Sequence, residues 1–197
     1  MKILAIIPAR GGSKRIPFKN MYFVKDRPLI KYTIDAALGS KLINKTVVST
    51  DNESISLYCK QFCDVLQRPN DISLDNSTSE DAISHALKSF PKYDAFILLQ
   101  PTSPLRTDKH IDDALNMFCT CKCTSVISVY ADNIHLTLNE TLSPTYVTNG
   151  AIYITYTDGF LNNQKLLTNN CLPYVMNKKD SLDIDTIEDM RIFANTR

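Results

Sequence analysis

The sequence has almost no net charge, no long apolar run, few histidines and no repetitive stretch, and each shortage closes a class of function. Lys plus Arg number 22 against 21 Asp plus Glu, so no global field favours nucleic acid or an anionic membrane, and basic residues carry meaning only by where they cluster. The apolar run that opens the chain, Met1 to Ile7, is stopped by Pro8. It is too short for a signal-peptide core with its cleavage site, or for a membrane span. The expectation is a cytoplasmic protein with no membrane partner and no nucleic-acid partner. No heptad seam, internal repeat or low-complexity segment is present. His85, His110 and His135 have no metal-ligand spacing, and no Ser-His-Asp or Cys-His arrangement can be argued from them. The six cysteines are expected to be reduced thiols in such a protein. Cys119-Thr-Cys-Lys-Cys123 lacks the pairs of pairs that zinc modules use and reads as small residues between a helix end and a strand. Cys59 and Cys63, four apart in a helical pattern, share one face and read as core thiols.

What is present is a chain of 197 residues, 44% apolar and 22% charged, enough for one globular domain with a substantial core. Continuous apolar runs at 2–8, 46–50, 95–99, 124–129 and 150–155 read as buried strands. Between and after them, 28–38, 53–63, 79–89, 108–119 and 186–194 carry apolar residues at helical spacing. Strands alternating with helices predict an α/β fold with a mostly parallel sheet. Residues 131–148 have no strong period and are rich in Asn, Thr, Ser and Pro, so they read as a small excursion from a single domain spanning 1–197. In open parallel sheets ligands lie beyond the carboxyl ends of the strands. That rule selects residues 9–20, 50–53, 68–79, 100–106 and 149–150.

The first of these, Ala9-Arg10-Gly11-Gly12-Ser13-Lys14-Arg15-Ile16-Pro17-Phe18-Lys19-Asn20, sets four cations around a Gly-Gly pair directly after a buried strand. Glycines permit close backbone approach and the cations suit a triphosphate. The string is neither a Walker loop nor a dinucleotide fingerprint, and a solvated basic turn is the bland alternative. Arg68, held by Pro69, offers either a bidentate phosphate grip or a surface ion pair. Ser77 or Thr78 can cap the helix that follows. Gln100-Pro-Thr-Ser-Pro-Leu-Arg106 is a rigid loop in which Gln100 both donates and accepts. Arg106 there either binds a carboxylate or braces the turn through Asp108 or Asp112. Asp183-Ile-Asp185 points two carboxylates to one side of an extended segment, which suits magnesium. Alternatively, Asp185-Thr-Ile-Glu188 is a capping box for the last helix.

The string at 7–17 resembles the opening motif of the CMP-sugar synthetases, the acylneuraminate-type cytidylyltransferases that activate sialic acid and related nine-carbon acids, legionaminic and pseudaminic acids included. Ser49-Thr-Asp51, Arg68-Pro69, Gln100 to Arg106, Asn149-Gly-Ala-Ile-Tyr153 and Asp183-Ile-Asp185 resemble that family's further motifs, in the same order over nearly the whole chain. The resemblance implies a three-layer, Rossmann-like, mostly parallel sheet of the nucleotide-diphospho-sugar transferase type, with a short dimerisation excursion. It implies transfer of a cytidylyl group from CTP to a nonulosonic acid sugar with Mg²⁺, by a homodimer serving cell-surface polysaccharide biosynthesis. It assigns Ala9, Arg10, Gly11, Ser13, Lys14, Lys19, Asn20, Arg68, Ser77, Ser79 and Thr102 to the nucleotide, and Gln100 and Asn149 to the acceptor. Asp183 and Asp185 are assigned to the metal, and Arg10, Lys19 and Asp185 to catalysis. One departure stands out. Relatives carry a longer arm with basic residues before the Asn-Gly motif, whereas here residues 131–148 contain no Lys or Arg; they form a shortened acceptor and dimer arm. Lys178 and Lys179, just before the aspartate pair, either supply that charge instead or form a solvated turn, the blander and favoured reading. Another acid sugar such as Kdo, or a nucleotide-binding module without turnover, are the competing readings.

Overall fold

The computed structural model describes residues 1–74, 77–136 and 142–196, with the side chains of 133–144 outside that description. In chain order the elements are β1 (Ile3–Pro8), a short hairpin of β2 (Phe23–Val24) and β3 (Arg27–Pro28), α1 (Leu29–Gly39), β4 (Lys45–Thr50), α2 (Glu53–Cys59), β5 (Asp64–Gln67), α3 (Ser79–Ser89), β6 (Ala95–Leu98) and α4 (Asp108–Thr120). There follow β7 (Ser125–Leu136), β8 (Leu142–Tyr156), α5 (Thr157–Asn163), β9 (Cys171–Met176) and α6 (Ile187–Asn195). A seven-stranded sheet has the order β5-β4-β1-β6-β8-β7-β9, and β8 alone runs against its neighbours. Among the described residues no helix is long and apolar enough to cross a membrane.

β1 shows why the central strands are apolar at every position. Ile3, Ala5 and Ile7 face one helical layer with Ile34 of α1, Ile55 of α2 and Phe118 of α4. Leu4 and Ile6 face the other, with Ile83 of α3 and Phe160 of α5. A strand covered on both faces has no polar side to show. Phe160 stands edge-on to Phe96 of β6, with ring centroids 5.2 Å apart, and truncating either ring would cost about 3–5 kcal/mol. A third cluster joins distant parts of the chain: Ile16 from the basic loop, Val24, Leu29, and Ile184, Met190 and Phe193 from the last segment.

The sheet and five expected helices are present, with α2 ending at Cys59 rather than residue 63. Cys59 is buried and Cys63 half-buried, and burial pushes the Cys59 thiol up to about 12 and that of Cys63 up to about 11. Three elements carry no clear sequence signal. The β2–β3 hairpin has two-residue strands, β9 is an edge strand of mixed exposure, and α5 contains Gly159 and two Asn and is held by the burial of Phe160. The excursion at 131–148 is not irregular. It continues β7 and β8 as a two-stranded arm, with Ala131 opposite Tyr146 and Ile134 opposite Pro144, beyond the reach of β6 and β9. Residues 137–141 of it lie outside the described residues.

Candidate active site

Parallel strands β1, β4, β5 and β6 deliver their following loops to one edge of the sheet. The loop after β1 is pinned from behind. Ala9 is fully buried and its N–H donates to Ser49 O (2.9 Å), while Gly11 N–H donates to Asp51 Oδ1 (2.9 Å). A Cβ on Gly11 would come within 2.8 Å of the Asn52 side chain, so this glycine lets the loop press onto the start of α2. Asn20, nearly buried, donates Nδ2–H to Arg10 O (3.0 Å). Ile16 anchors the loop in the third core cluster. Ala9 and Gly11 thus support the loop from behind and do not line the cleft in front, while Arg10, Ser13, Lys14, Lys19 and Asn20 do. Gly12 would tolerate a Cβ in open space, so close packing does not explain it.

That cleft, about 500 Å³, is lined by the cations Arg10, Lys14, Arg15, Lys19 and Arg68, and by the carboxylates Asp183 and Asp185. The surface ion-pair reading of Arg68 is corrected: the residue is 5% exposed. Its Nε donates to Ser49 Oγ (3.1 Å) and its Nη2 to Ser49 O (2.8 Å). Burial lowers its pKa, Asp51 opposes that, and Arg10 adds to it. A buried guanidinium held by neutral acceptors is a strong site for an anion, because a charge out of water gains most from a partner. Beside it α3 begins. Thr78 is its cap, accepting from Asp81 N–H (3.2 Å) while Asp81 accepts from Thr78 N–H (2.8 Å). Ser77 therefore is not the cap, and Ser77 and Ser79 line the cleft at the positive end of the helix.

The 100–106 loop closes the far wall. Thr102 lines the cleft, and its carbonyl accepts from Ile184 N–H (2.8 Å). Gln100 lines the cleft and also a second cavity of about 570 Å³. Gly150 sits behind Gln100 at φ 71°, where a Cβ would lie 2.8 Å from Gln100 Oε1. Arg106 is not tied to Asp108 or Asp112. It is 2% exposed and donates through Nη1 to Ala151 O (2.9 Å) and Gln100 O (3.2 Å), and through Nη2 to Thr33 Oγ1 (2.6 Å). It braces the loop, and burial pulls its guanidinium below the ordinary range.

Asp183 and Asp185 do face one side. Ile184 between them is fully buried, so the extended backbone turns both carboxylates outward. The capping-box reading is corrected by one residue: Thr186 caps α6 and Asp189 completes the box, because the threonine hydroxyl accepts from the Asp189 N–H in the first turn while the Asp189 carboxylate reaches back to the Thr186 N–H. Asp185 is left to accept from Arg15 Nη1 (2.7 Å) and Lys19 Nζ (3.2 Å). With Arg15 and Asp185 both more than half exposed, their pair adds little and can rearrange easily. The surrounding protein desolvates Asp183 and pushes its pKa up, as does Asp185, against the Thr102 hydroxyl and the Lys19 charge. Like carboxylates under such pressure suit a hard divalent cation. Among the described residues no group of three or more acidic, His or Cys side chains could hold a metal alone. Ligand oxygens and water would complete its shell.

Asn149 lines the second cavity, but its side chain is engaged inward. Its Oδ1 accepts from Ser128 Oγ (2.5 Å) and Ala151 N–H (3.2 Å), and its Nδ2 donates to Ser181 Oγ (2.8 Å). It ties β7 and β8 to the segment leading to Asp183. Sequence reasoning counted Arg15 as a loop cation without assigning it a partner, and overlooked the second cavity with Tyr130, Tyr153 and Leu182 on its walls. The only sequence signal for that cavity was the Lys178-Lys179 pair just upstream of Asp183.

A mostly parallel sheet of this topology, with a cation-lined cleft at its carboxyl edge, is an α/β fold of the nucleotidyltransferase type. The family model described as "Cytidylyltransferase" matches residues 4–166. N-acylneuraminate cytidylyltransferase of Escherichia coli O18:K1:H7 is 35% identical over 97% of this chain and 51% of its own length. CMP-N,N'-diacetyllegionaminic acid synthase of Legionella pneumophila is 33% identical over 94% of this chain and 92% of its own. A solved CMP:2-keto-3-deoxy-manno-octonic acid synthetase with CTP superposes with TM-score 0.80 at 16% identity, covering 98% of this chain and 97% of that one. The chain belongs to the cytidylyltransferase family. It spans about half the length of the first N-acylneuraminate cytidylyltransferases it matches, and those alignments, 213 residues long, exceed the 197 of the chain, so the relatives carry residues it lacks.

Proposed function

We propose that this chain converts CTP and a nonulosonic, sialic-acid-like sugar acid to the CMP-sugar and pyrophosphate. The observation that carries the reading is the cleft itself: the basic loop, buried Arg68, Asp183 and Asp185 line one space of about 500 Å³, with Arg15 and Lys19 touching Asp185. Relatives named for CMP-sialic and CMP-legionaminic acid synthesis support the substrate class. Arg10, Lys14, Lys19 and Arg68 hold the phosphates, and Ser77, Ser79 and Thr102 line the nucleoside end. Asp183 and Asp185 would hold a divalent ion, taken to be Mg²⁺, which when bound neutralises phosphate charge and acidifies a bound hydroxyl. The anomeric oxygen bonds to the α-phosphorus, the bond from that phosphorus to the β-phosphate oxygen breaks, and pyrophosphate leaves. The hydroxyl proton passes to solvent water on the Asp185 side of the cleft. Arg10 and Lys19 stabilise the charge that develops, and positioning with charge neutralisation supplies most of such catalysis.

The reading also takes the chain to be a cytoplasmic homodimer, with the two-stranded arm of β7 and β8 as the element available for pairing. Sedimentation of the purified protein tests that. The activity is tested by pyrophosphate release with CTP, Mg²⁺ and a panel of nonulosonic acids and Kdo. Release with CTP and at least one nonulosonic acid is the expected result, and CTP binding without release for any nonulosonic acid would overturn it.

A further inference from the structure

The second cavity has a wall composition that the nucleotide cleft lacks. It shares Gln100 and Asp183 with the cleft, so the two spaces meet where a reacting oxygen would have to pass. Its cations are Lys178 and Lys179, and Leu105, Leu182 and Ile192 give it an apolar wall. Lys178 Nζ donates to Asp132 Oδ1 on the arm (2.5 Å) and lies 5.4 Å from the Tyr130 ring centroid. Lys179 makes no ion pair among the described residues. The turn that presents both lysines is fixed from below. Ser181 Oγ donates to Asn177 O (2.9 Å) and accepts from Asn149 Nδ2 (2.8 Å), inside a buried network that reaches Ser128. Leu105 and Leu182 pack on the third core cluster, so the apolar wall is rigid, and Ile192 extends it into the open at 48% exposure.

We propose that this cavity selects an amphiphilic acid sugar: Lys179, joined by Lys178, grips its carboxylate, and Leu105, Leu182 and Ile192 take its apolar substituent, an N-acyl or methyl group. The inference rests on the cytidylyltransferase reading and adds to it the residues that choose the acceptor. In a 2-keto sugar acid the carboxylate is borne by the carbon that carries the attacking hydroxyl. The anion grip must therefore lie at the end of the cavity nearest Asp183, and the lysine turn leads directly into Asp183. A long, flexible ammonium suits a carboxylate that must be held and then released. The apolar wall discriminates by hydrophobic contact, which is worth about 10- to 200-fold per methylene-sized group. A fully hydroxylated acid of the same charge leaves that wall without a partner.

The test compares N,N'-diacetyllegionaminic acid with Kdo as acceptors, using the full chain with CTP and Mg²⁺. The wild type is expected to prefer the diacetyl acid by about tenfold or more in kcat/KM, and equal use of Kdo would overturn the apolar assignment. In a K178A/K179A double variant the KM for the diacetyl acid is expected to rise about tenfold or more with the KM for CTP unchanged, which also reports an intact fold. An unchanged acceptor KM would overturn the lysine assignment. Ile192→Ser is expected to shrink the preference over Kdo while leaving CTP untouched, and an undiminished preference would count against the wall. Should the wild type bind CTP but turn over no acid, the reading of activity fails by itself. Saturation-transfer NMR of the diacetyl acid in the presence of CMP then decides the cavity: a signal in the wild type that the double variant loses supports it, and no wild-type signal overturns it.

Discussion

The cleft beside β1 and the cavity beside β8 share Gln100 and Asp183, yet they are built differently. The cleft is walled by loops that leave parallel strands at their carboxyl ends, and each loop is tied down behind: Gly11 on Asn52, Arg68 on Ser49, Asn20 on the Arg10 carbonyl. Its charge is concentrated and strongly cationic. The second cavity is walled by the one antiparallel strand, by the turn after β9 and by α6, and it combines two lysines with aliphatic side chains. A preorganised cationic loop suits the invariant phosphates of a nucleotide, whereas an apolar wall with flexible cations suits a partner whose substituents vary. On the proposed reading, recognition of the common substrate and choice of the particular one are separated in space.

Because Asp183 stands in both spaces, its removal gives the largest effect. Asp183→Ala is expected to lower turnover by about a hundredfold or more while CTP binding, followed by calorimetry, stays measurable; unchanged turnover would remove Asp183 from the mechanism. Arg68 belongs to the cleft alone. Arg68→Met should weaken CTP binding by about 10- to 100-fold, as loss of a charge-assisted contact does, with the acceptor KM unaltered, and a change confined to the acceptor would reverse the division of labour. Gly150 lies on the boundary. An alanine there must adopt a left-handed backbone and meet Gln100, at a cost of about 1–2 kcal/mol from the conformation alone. Gly150→Ala is expected to lower the melting midpoint and raise both KM values together.

The smallest effect concerns scaffolding of the cleft. Thr78→Ala removes the cap of α3 and should cost about 1 kcal/mol in denaturant unfolding. The partner carboxyl Asp81 is held below its ordinary 3.8 by hydrogen bonds from the Thr78 backbone and hydroxyl. A depressed native pKa contributes stability that is complete above the unfolded value and lost as pH falls through the native one. The difference between wild type and Asp81→Asn should therefore be present at neutral pH and shrink below about pH 4. A difference that stays constant through that range would separate Asp81 from the cap.

Much of this was readable in one dimension because it depends on short-range chemistry. Burial on both faces makes β1 apolar throughout, and the polar residues that follow it must then lie where the sheet ends. The residues of the Asp183-Ile-Asp185 segment alternate outward, inward and outward simply because extended backbone has a period of two. What failed did so where neighbours compete. Asp185 and Thr186 were both plausible caps for α6, and only the geometry at Asp189 chose between them. Arg68 and Arg106 look alike on paper, but one opens onto the cleft while the other is closed over by Thr33, Gln100 and Ala151. Asn149 lines the second cavity as well as directing its amide into the Ser128–Ser181 network, a double placement that its motif does not reveal. β9 lays Leu172, Tyr174 and Met176 on the core from one face only, so it shows none of the continuous apolar run that marks the central strands.

By itself the sequence determined the class of fold and the chemical character of the cleft, since both follow from which residue types sit next to each strand. The meeting of the two chain ends was decided only by tertiary structure. Ile16 and Ile184 are far apart along the chain, and it is their burial in one cluster with Met190 and Phe193 that brings the basic loop to the aspartate pair. That same packing leaves the second cavity between the last helix and β8. No local pattern encodes such a space, because it is defined by surfaces that meet only after the sheet has formed.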